Sequence, residues 1–589
     1  MTTDSDMLNW GMNTGHQAMI ERFRLENGRS PRVLAIGNIA NNAFKNAKIL
    51  NDIGVECHVM CHDYYHVMGC PEWEMARFVT DGINFDAPNW SSIDLAGYTR
   101  PKWFVQGRLF TAIDYLIAYN EGSDQADVKW RVLAAERDAG GALMEGSSKA
   151  AVGVTEIAYA IADRLSALYS VIFADRYNKL SPSNVIDQYL SILLEHERFR
   201  RLLSFYDCVI GYSTDGMFPL MFGKRPYVCF EHGTIRTFPF EDSVFGKMCA
   251  LSYACADDVL ISNCDNVVAA RKLRLESFRF TPHPMLDESG DCADHFALRQ
   301  SLLETHKADF IIFHPSRQHW SNSHDLNWEK GNDQLIRGFA RFLTESRPAA
   351  LLVMVEWGQT VEASKALIDS LGIASRVVWI YAQTLPVVGQ YVAAADVLAD
   401  QFVIGAWGAV MPHGMMMGTP TLIYLDETLH RWCFPQMPPV LNVRTSDEIC
   451  AALLQSTDPD YRAQIKKSGP EWFERYHSQD VVAGRLLDSL TKVLSNEQRR
   501  NLGHELREMR AEIEQIKIAA GQSRWSSGIS SMSQAFGFGE LGRSASRMSG
   551  LKLQFLRLRE KHPVFGGILF NAVRWPYRGM RALMRSFQK

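Results

Sequence analysis

Two Rossmann-like, doubly wound α/β domains facing a cleft, with a helical insertion in the first and a helical C-terminal extension, are predicted by three features of this sequence. The chain has 589 residues, more than one hydrophobic core holds. Two stretches, starting near Arg32 and near Phe310, repeat one pattern: a short apolar run breaks into Gly, Asn or Ser and a helical period follows. Apolar residues make up 47% and charged residues 22%, as in ordinary globular proteins, and no apolar run reaches the roughly 20 residues of a membrane span.

After a lead-in over 1–30, the first domain is expected over 31–290. Its opening strand is VLAIGN (Val33 to Asn38), followed by a helix over Ala40 to Leu50 and a strand over Val55 to Met60. This βαβ unit places IGNIANN at the carboxyl end of a strand, where open α/β sheets bind ligands. Asn38, Asn41 and Asn42 are therefore expected to form one lip of a cleft, toward acceptor or phosphate. Residues 97–203 read as a helical insertion, with long amphipathic helices over Ala150 to Ala174 and Ile186 to Arg201. The α/β pattern resumes in YDCVIGYS, RPYVCFEHGT and ADDVLISN. EHGT is the densest polar string at a strand end, so Glu231, His232 and Thr234 should point into the cleft. Either His232 acts as a base or hydrogen-bond partner, as its pKa range allows, or it is a buried ring that fixes the turn.

Cys57, Cys61 and Cys70, interleaved with His58, His62 and His66, lack the paired knuckles of a structural zinc site and read as buried thiols and a polar loop. His283, near the domain junction, reads as structural. The start MTTDSDMLNWGMNTG is polar and carries no secretory pattern, which predicts a cytoplasmic protein with reduced cysteines.

The second domain is expected over 291–495, with strands FIIFHPS, LLVMVEWG, RVVWIYA, DVLAD and TLIYLD separated by helices. PSRQHW leads to EKGNDQLIRGF, placing Arg317 and Lys330 near a strand-to-helix turn, where cations and a helix N-terminus suit a diphosphate. Further on, GAWGAVMPHGMMMGTP carries glycines at 405, 408, 414 and 418 that leave backbone open to a phosphate or sugar.

The order SR, KGND, WG, RVVWIYA, AAADV, GAWG, PHGMMMGTP resembles the donor domain of the retaining glycosyltransferases of family 4 and the wider GT-B group, over about Phe310 to Leu494. The resemblance implies transfer of a sugar from a nucleotide-sugar donor to a glycan or lipid-linked acceptor, with retention and without a bound metal or other cofactor. Arg317 and Lys330 would hold the donor diphosphate. Ala406, Trp407 and Gly408 would line its phosphate and sugar, and the backbone at Ile380 and Tyr381 would meet the base. The family's two glutamates fall on Gly405 and His413; His413 can hydrogen-bond a ribose hydroxyl, whereas Gly405 has no side chain to orient a sugar. About eleven extra residues, Gln318 to Trp328, separate Arg317 from Lys330. A catalytically silent scaffold, or another GT-B nucleotide-sugar enzyme such as an epimerase or hydrolase, stays open beside the transferase.

Leu502, Leu506, Met509, Ile513 and Ile516 form a short coiled-coil-like stripe over 496–520, followed by a Ser/Gly linker over 521–550. From Leu541 to Lys589 eleven Lys or Arg face one acid, a net +10, leaving −14 on the rest of a chain whose formal charge is −4. The basic, aromatic-rich tail 551–589 suits either an anionic membrane surface or the acidic body, making the protein peripheral at a membrane in the first case. No nucleic-acid module accompanies it, and homo-oligomerisation is left open.

Overall fold

The computed structural model describes residues 10–138, 155–175, 179–286, 293–321 and 329–494. The stripe over 496–520, the linker over 521–550 and the tail over 551–589 lie outside the described residues.

Thirteen described strands form two fully parallel sheets. The first contains β1 (Arg32–Ile36), β2 (Glu56–His62), β3 (Phe104–Gly107), β4 (Cys208–Tyr212), β5 (Tyr227–Glu231), β6 (Asp258–Ile261) and β7 (Arg279–Phe280), in the order β3-β2-β1-β4-β5-β6-β7. The second contains β8 (Phe310–His314), β9 (Ala350–Val355), β10 (Val377–Ile380), β11 (Val397–Ala399), β12 (Thr421–Ile423) and β13 (Leu441–Asn442), in the order β10-β9-β8-β11-β12-β13. Both are doubly wound, and each reverses its winding between its first strand and its fourth, the place where such sheets bind ligands.

The strands are mostly apolar in their middles because both faces of each sheet are covered. With a side-chain period of two, Leu34 and Ile36 join Met60, Val105 and Val209 in one core, while Val33 and Ala35 join Val59, Cys61 and Ile210 in the other. The second sheet divides likewise: Phe310, Ile312, Leu352 and Met354 on one side, Ile311, Phe313, Leu351 and Val353 on the other.

The helical insertion is real but segmented. Helices Leu109–Asn120, Gln125–Asp138, Glu156–Ile172, Pro182–Leu194 and His196–Ser204 cover one face of the first sheet. The expected helix over Ile186 to Arg201 is two helices, because Ser181 caps an earlier start at Pro182 and Glu195 leaves helical geometry at φ −93°, ψ 21°. That break lets both Leu193 and Phe199 reach the core.

Two packed joints and a returning helix join the halves. Between β2 and β3, residues 63–98 leave the first sheet, and Trp73, Phe78 and Trp90 pack in the same core as Ile311, Phe313 and Leu351 of the second. At the other joint, Trp10 and Phe280 meet Trp407, Phe434, Trp472 and Tyr476, with ring centroids from 4.7 to 6.4 Å apart. The last described helix, Gln479–Leu494, returns to the first sheet, burying Val482, Leu486, Leu487, Leu490 and Val493 beside Val33 and Ile210.

The return helix is anchored by Asp258, which is fully buried at the start of β6. Its carboxylate accepts from Ser489 Oγ (2.8 Å) and pairs with Lys492 Nζ (3.1 Å) and Arg279 Nε (2.8 Å). Removing one member of such a group strands the others' charges. Asp258→Ala is therefore expected to lower stability by about 3–5 kcal/mol in urea unfolding; a midpoint equal to wild type would show that the anchor carries no load.

Candidate functional site

At the reversal point of the second sheet, a hydrogen-bonded frame holds Arg317 and Lys330 together. His314 ends β8; its Nδ1–H donates to the Ala399 carbonyl (2.9 Å), leaving Nε2 to accept from the Asn332 amide (2.8 Å). Burial holds the His314 pKa down, at about 4, so the ring is neutral. The same Asn332 amide reaches the Arg317 carbonyl (3.2 Å), and its oxygen accepts from His319 N–H (2.9 Å). The extra residues after Arg317 are closed off locally, because Lys330 N–H donates to the His319 carbonyl (2.8 Å). A long insertion therefore still leaves both cations at one strand edge.

Gly358 sets the height of this loop. It has φ 122°, and a Cβ there would overlap the Gln318 backbone. Gln318 N–H donates to the Trp357 carbonyl (2.7 Å), and Thr360 N–H donates to the Gln318 carbonyl (3.1 Å).

The cations differ in their environments. Lys330 Nζ donates to Gln401 Oε1 (2.5 Å), and Gln401 in turn donates to the Ala406 carbonyl. Burial lowers the Lys330 pKa to about 8; Asp400 opposes this shift, while Arg317 and Arg236 reinforce it. Arg236 belongs to the first domain, so a charge from each half acts on the Lys330 ammonium. Arg317 is also lowered by burial. Asp400 accepts from Ser316 Oγ (3.1 Å) and from Met411 N–H, and burial raises its pKa.

Across the cleft, the EHGT turn is organised by Glu231. Its buried carboxylate accepts from Gly233 N–H (2.5 Å), Ile235 N–H (2.9 Å) and the Tyr253 hydroxyl, and burial raises its pKa to about 7. Ser262 gives its proton to the Glu231 carbonyl (2.9 Å), so His232 Nδ1–H must be the donor in its 3.2 Å contact with Ser262. That assignment leaves the lone pair on Nε2. Burial, helped by Arg236 and Lys45, holds the His232 pKa near 3. The ring lies 4.3 Å from that of His283. Thr234 Oγ1 bonds Ser213 Oγ, and Arg236 donates to Asp265 (2.9 Å).

The remaining residues singled out in the sequence have varied settings. Asn38 donates to the Asn41 side chain (2.9 Å) and the Gly69 carbonyl (2.8 Å), and Asn41 donates to the Cys70 carbonyl (2.8 Å). These two amides hold the 63–98 segment rather than opening toward the cleft. Asn42 is fully buried in the first helical turn after them. The Trp407 ring lies in the aromatic joint, 4.8 Å from His430, so what this loop presents is the backbone around Ala406 and Gly408. A Cβ on Gly408 would meet open space. Ile380 ends β10 half-buried, and Tyr381 after it is 52% exposed. His413 lines a cavity of about 170 Å³ between the halves, with Lys45, Glu74, Leu385, Pro386 and Met417. Burial holds its pKa near 4, and neither ring nitrogen has a hydrogen-bond partner among the described residues. Lys45 and Glu74 are paired there at 3.4 Å.

Sequence reasoning missed Asn332, Gln401, Asp400 and Arg236. The first lies inside the quoted KGND string, and the pair at 400–401 directly follows β11, so strand-end position was their available signal. Cys57, Cys61 and Cys70 are buried, and His58 Nδ1 bonds the Tyr206 hydroxyl (2.9 Å). Among the described residues, no group of three or more His, Cys, Asp or Glu is placed to hold a metal ion, and no helix is long and apolar enough to cross a membrane.

No protein-family model matches the chain, and no curated protein matches it. Several solved structures are similar. Anabaena HepE in complex with UDP and glucose is 15% identical, with a TM-score of 0.41 over 56% of this chain and 95% of that one. The N-terminal domain of Candida albicans trehalose-6-phosphate phosphatase is 11% identical, with a TM-score of 0.47 over 79% and 97%. Trehalose-6-phosphate synthase OtsA is 11% identical, with a TM-score of 0.43 over 79% and 99%. At these identities and scores none of them assigns an activity; the two doubly wound sheets stand on this chain's own strand order.

Two outcomes are expected. Gly358→Ala, which touches neither cation, should weaken pyrophosphate binding roughly tenfold by lifting the Arg317 loop, measured by calorimetry; unchanged affinity would detach Gly358 from the site. Because the Lys330 pKa is lowered, its charge is lost as pH rises through about 8. Pyrophosphate affinity should thus fall between about pH 7 and pH 9, and Lys330→Arg should flatten that fall. An equally steep profile in the variant would assign the titration elsewhere.

Proposed function

We propose that this chain is a metal-independent glycosyltransferase that moves a sugar, with retention, from a nucleotide-sugar donor to a glycan or lipid-linked acceptor. The observation that carries this reading is the convergence of Arg317 and Lys330 at the reversal point of the second sheet, with Arg236 of the first domain facing them. A nucleoside-diphosphate leaving group gains negative charge as its glycosidic bond breaks. Cations already held out of water stabilise that charge without reorganising.

In this reading Arg317 and Lys330 hold the diphosphate, and Gln401 links Lys330 to the Ala406–Gly408 backbone beside the sugar. The Ile380 and Tyr381 backbone meets the base, and His413 bonds a ribose hydroxyl. With its pKa near 3, His232 is neutral at pH 7 and serves as a hydrogen-bond acceptor for the reacting sugar through Nε2, rather than as a proton donor. Residues 551–589 bring the enzyme to an anionic membrane surface on the cytoplasmic side.

A second reading has its own observation. A Cβ on Gly405 would meet Tyr424 and Asp426, so the space for a sugar-orienting glutamate is filled. That favours a nucleotide-sugar-binding scaffold that does not turn over, or a nucleotide-sugar enzyme of another kind.

The test is a thermal-shift and turnover series across UDP-, GDP-, ADP-, CMP- and dTDP-linked sugars, with product analysis with and without acceptor. One donor should stabilise the protein, and Arg317→Ala should abolish the shift. His232→Ala should keep the shift and lose turnover by roughly a hundredfold. Donor binding without any product would favour the scaffold, and wild-type binding in Arg317→Ala would remove the site assignment.

A further inference from the structure

The reversal point of the first sheet, between β1 and β4, carries a polar pair of opposite character to the cations across the cleft. Asp215 lies in the turn after β4, and its Oδ1 is 3.4 Å from Nε2 of His62, the last residue of β2. The side chains are 21% and 11% exposed, so the pair is sheltered yet open on one side. Gly37, just after β1, has φ 86°, and a Cβ there would overlap the Asp215 carboxylate. The carboxylate therefore lies directly over the β1 loop, at the point where the strands diverge.

The backbone on both sides is strained. Ser213 (φ 60°) precedes the Asp215 turn, and Ala40 (φ 48°) and Asn41 (φ 56°) form the facing loop. With Asp63 (φ 49°), which follows His62, four non-glycine residues in the left-handed region surround one sheet edge; they persist only where the surroundings hold them, and such strain gathers at ligand sites. The holding groups are visible: Tyr253 donates to the Ser213 carbonyl (2.7 Å), and Ser213 Oγ bonds Thr234 Oγ1. The His62 ring is fixed edge-on against Phe218 at 5.2 Å. Asp215 has no charged partner among the described residues other than this imidazole.

We propose that His62 and Asp215 form the acceptor subsite and bind neighbouring hydroxyls of an uncharged sugar or polyol, the carboxylate accepting one O–H and the imidazole engaging the next. The proposal rests on the glycosyl-transfer reading. Charge sorts the two ligands: the diphosphate belongs with Arg317 and Lys330, whereas a carboxylate repels phosphate and favours hydroxyl donors. Thr234 bonds Ser213, two residues before Asp215, so a hydroxyl held here lies on the same sheet edge as the His232 turn. Gly37 acts as a positioning residue, through the room it leaves for the carboxylate.

The experiment is saturation-transfer NMR on the full chain with the methyl glycosides of glucose, galactose and mannose, with nucleoside diphosphate binding titrated in the same samples. Wild type is expected to bind at least one glycoside. The isosteric Asp215→Asn should weaken it roughly tenfold, the loss of a charge-assisted hydrogen bond. His62→Gln and Gly37→Ala should weaken it as well. All three should keep wild-type diphosphate affinity, and Asp215→Asn and His62→Gln should also keep the melting temperature, which Gly37→Ala lowers through its strained backbone. Glycoside binding unchanged in Asp215→Asn and His62→Gln would overturn the proposal. So would diphosphate binding with no glycoside binding in wild type, which leaves the transferase reading standing. Loss of diphosphate binding from wild type itself would instead overturn that reading.

Discussion

Holding Arg317 and Lys330 half-buried at one strand edge is the constraint on which the rest of this structure depends. Each half-buried cation loses part of its hydration, and Lys330 registers that loss in a pKa of about 8. The compensation is local and polar: Asp400 nearby, Gln401 on the ammonium, and the His314–Asn332 frame beneath the Arg317 loop. Arg236, itself paired with Asp265, adds a further positive charge near Lys330.

The chain ties the two halves together in several ways. The 63–98 segment of the first domain is part of the apolar core on one face of the second sheet, and the aromatic joint around Trp407 closes the other contact. Helix Gln479–Leu494 then carries the end of the second domain back to the first, where Asp258 secures it. Asn38 and Asn41 serve this mechanical purpose, because their amides hold Gly69 and Cys70 at the root of the crossing segment. The two sides of the cleft divide the chemistry by charge, with cations at one reversal point and the Asp215–His62 pair at the other.

Much of the fold was legible because a strand buried on both faces is written as an uninterrupted apolar run. VLAIGN, YDCVIGYS, FIIFHPS and LLVMVEWG each gave such a run ending in a turn residue, and each contains a described strand. Strands β3, β7 and β13 were not legible: FVQG, RF and LN carry no apolar run, and they exist through pairing with neighbouring strands of the sheet. The site was legible where it follows strand ends, as at Arg317, Lys330 and the EHGT turn. It was illegible where one residue's role is set by another far along the chain. Gln401 matters because it meets Lys330, 71 residues away in sequence, and Arg236 because the second domain folds opposite it. The polar look of Asn38 and Asn41 pointed to a ligand, whereas tertiary structure spends those amides on the backbone.

The most direct measurement is a crystal structure of the full chain with the nucleoside diphosphate that stabilises it. The account predicts phosphate oxygens about 3 Å from both the Arg317 guanidinium and Lys330 Nζ, at the β8–β11 edge facing Arg236. A diphosphate bound elsewhere, with Lys330 still paired only to Gln401, would contradict it.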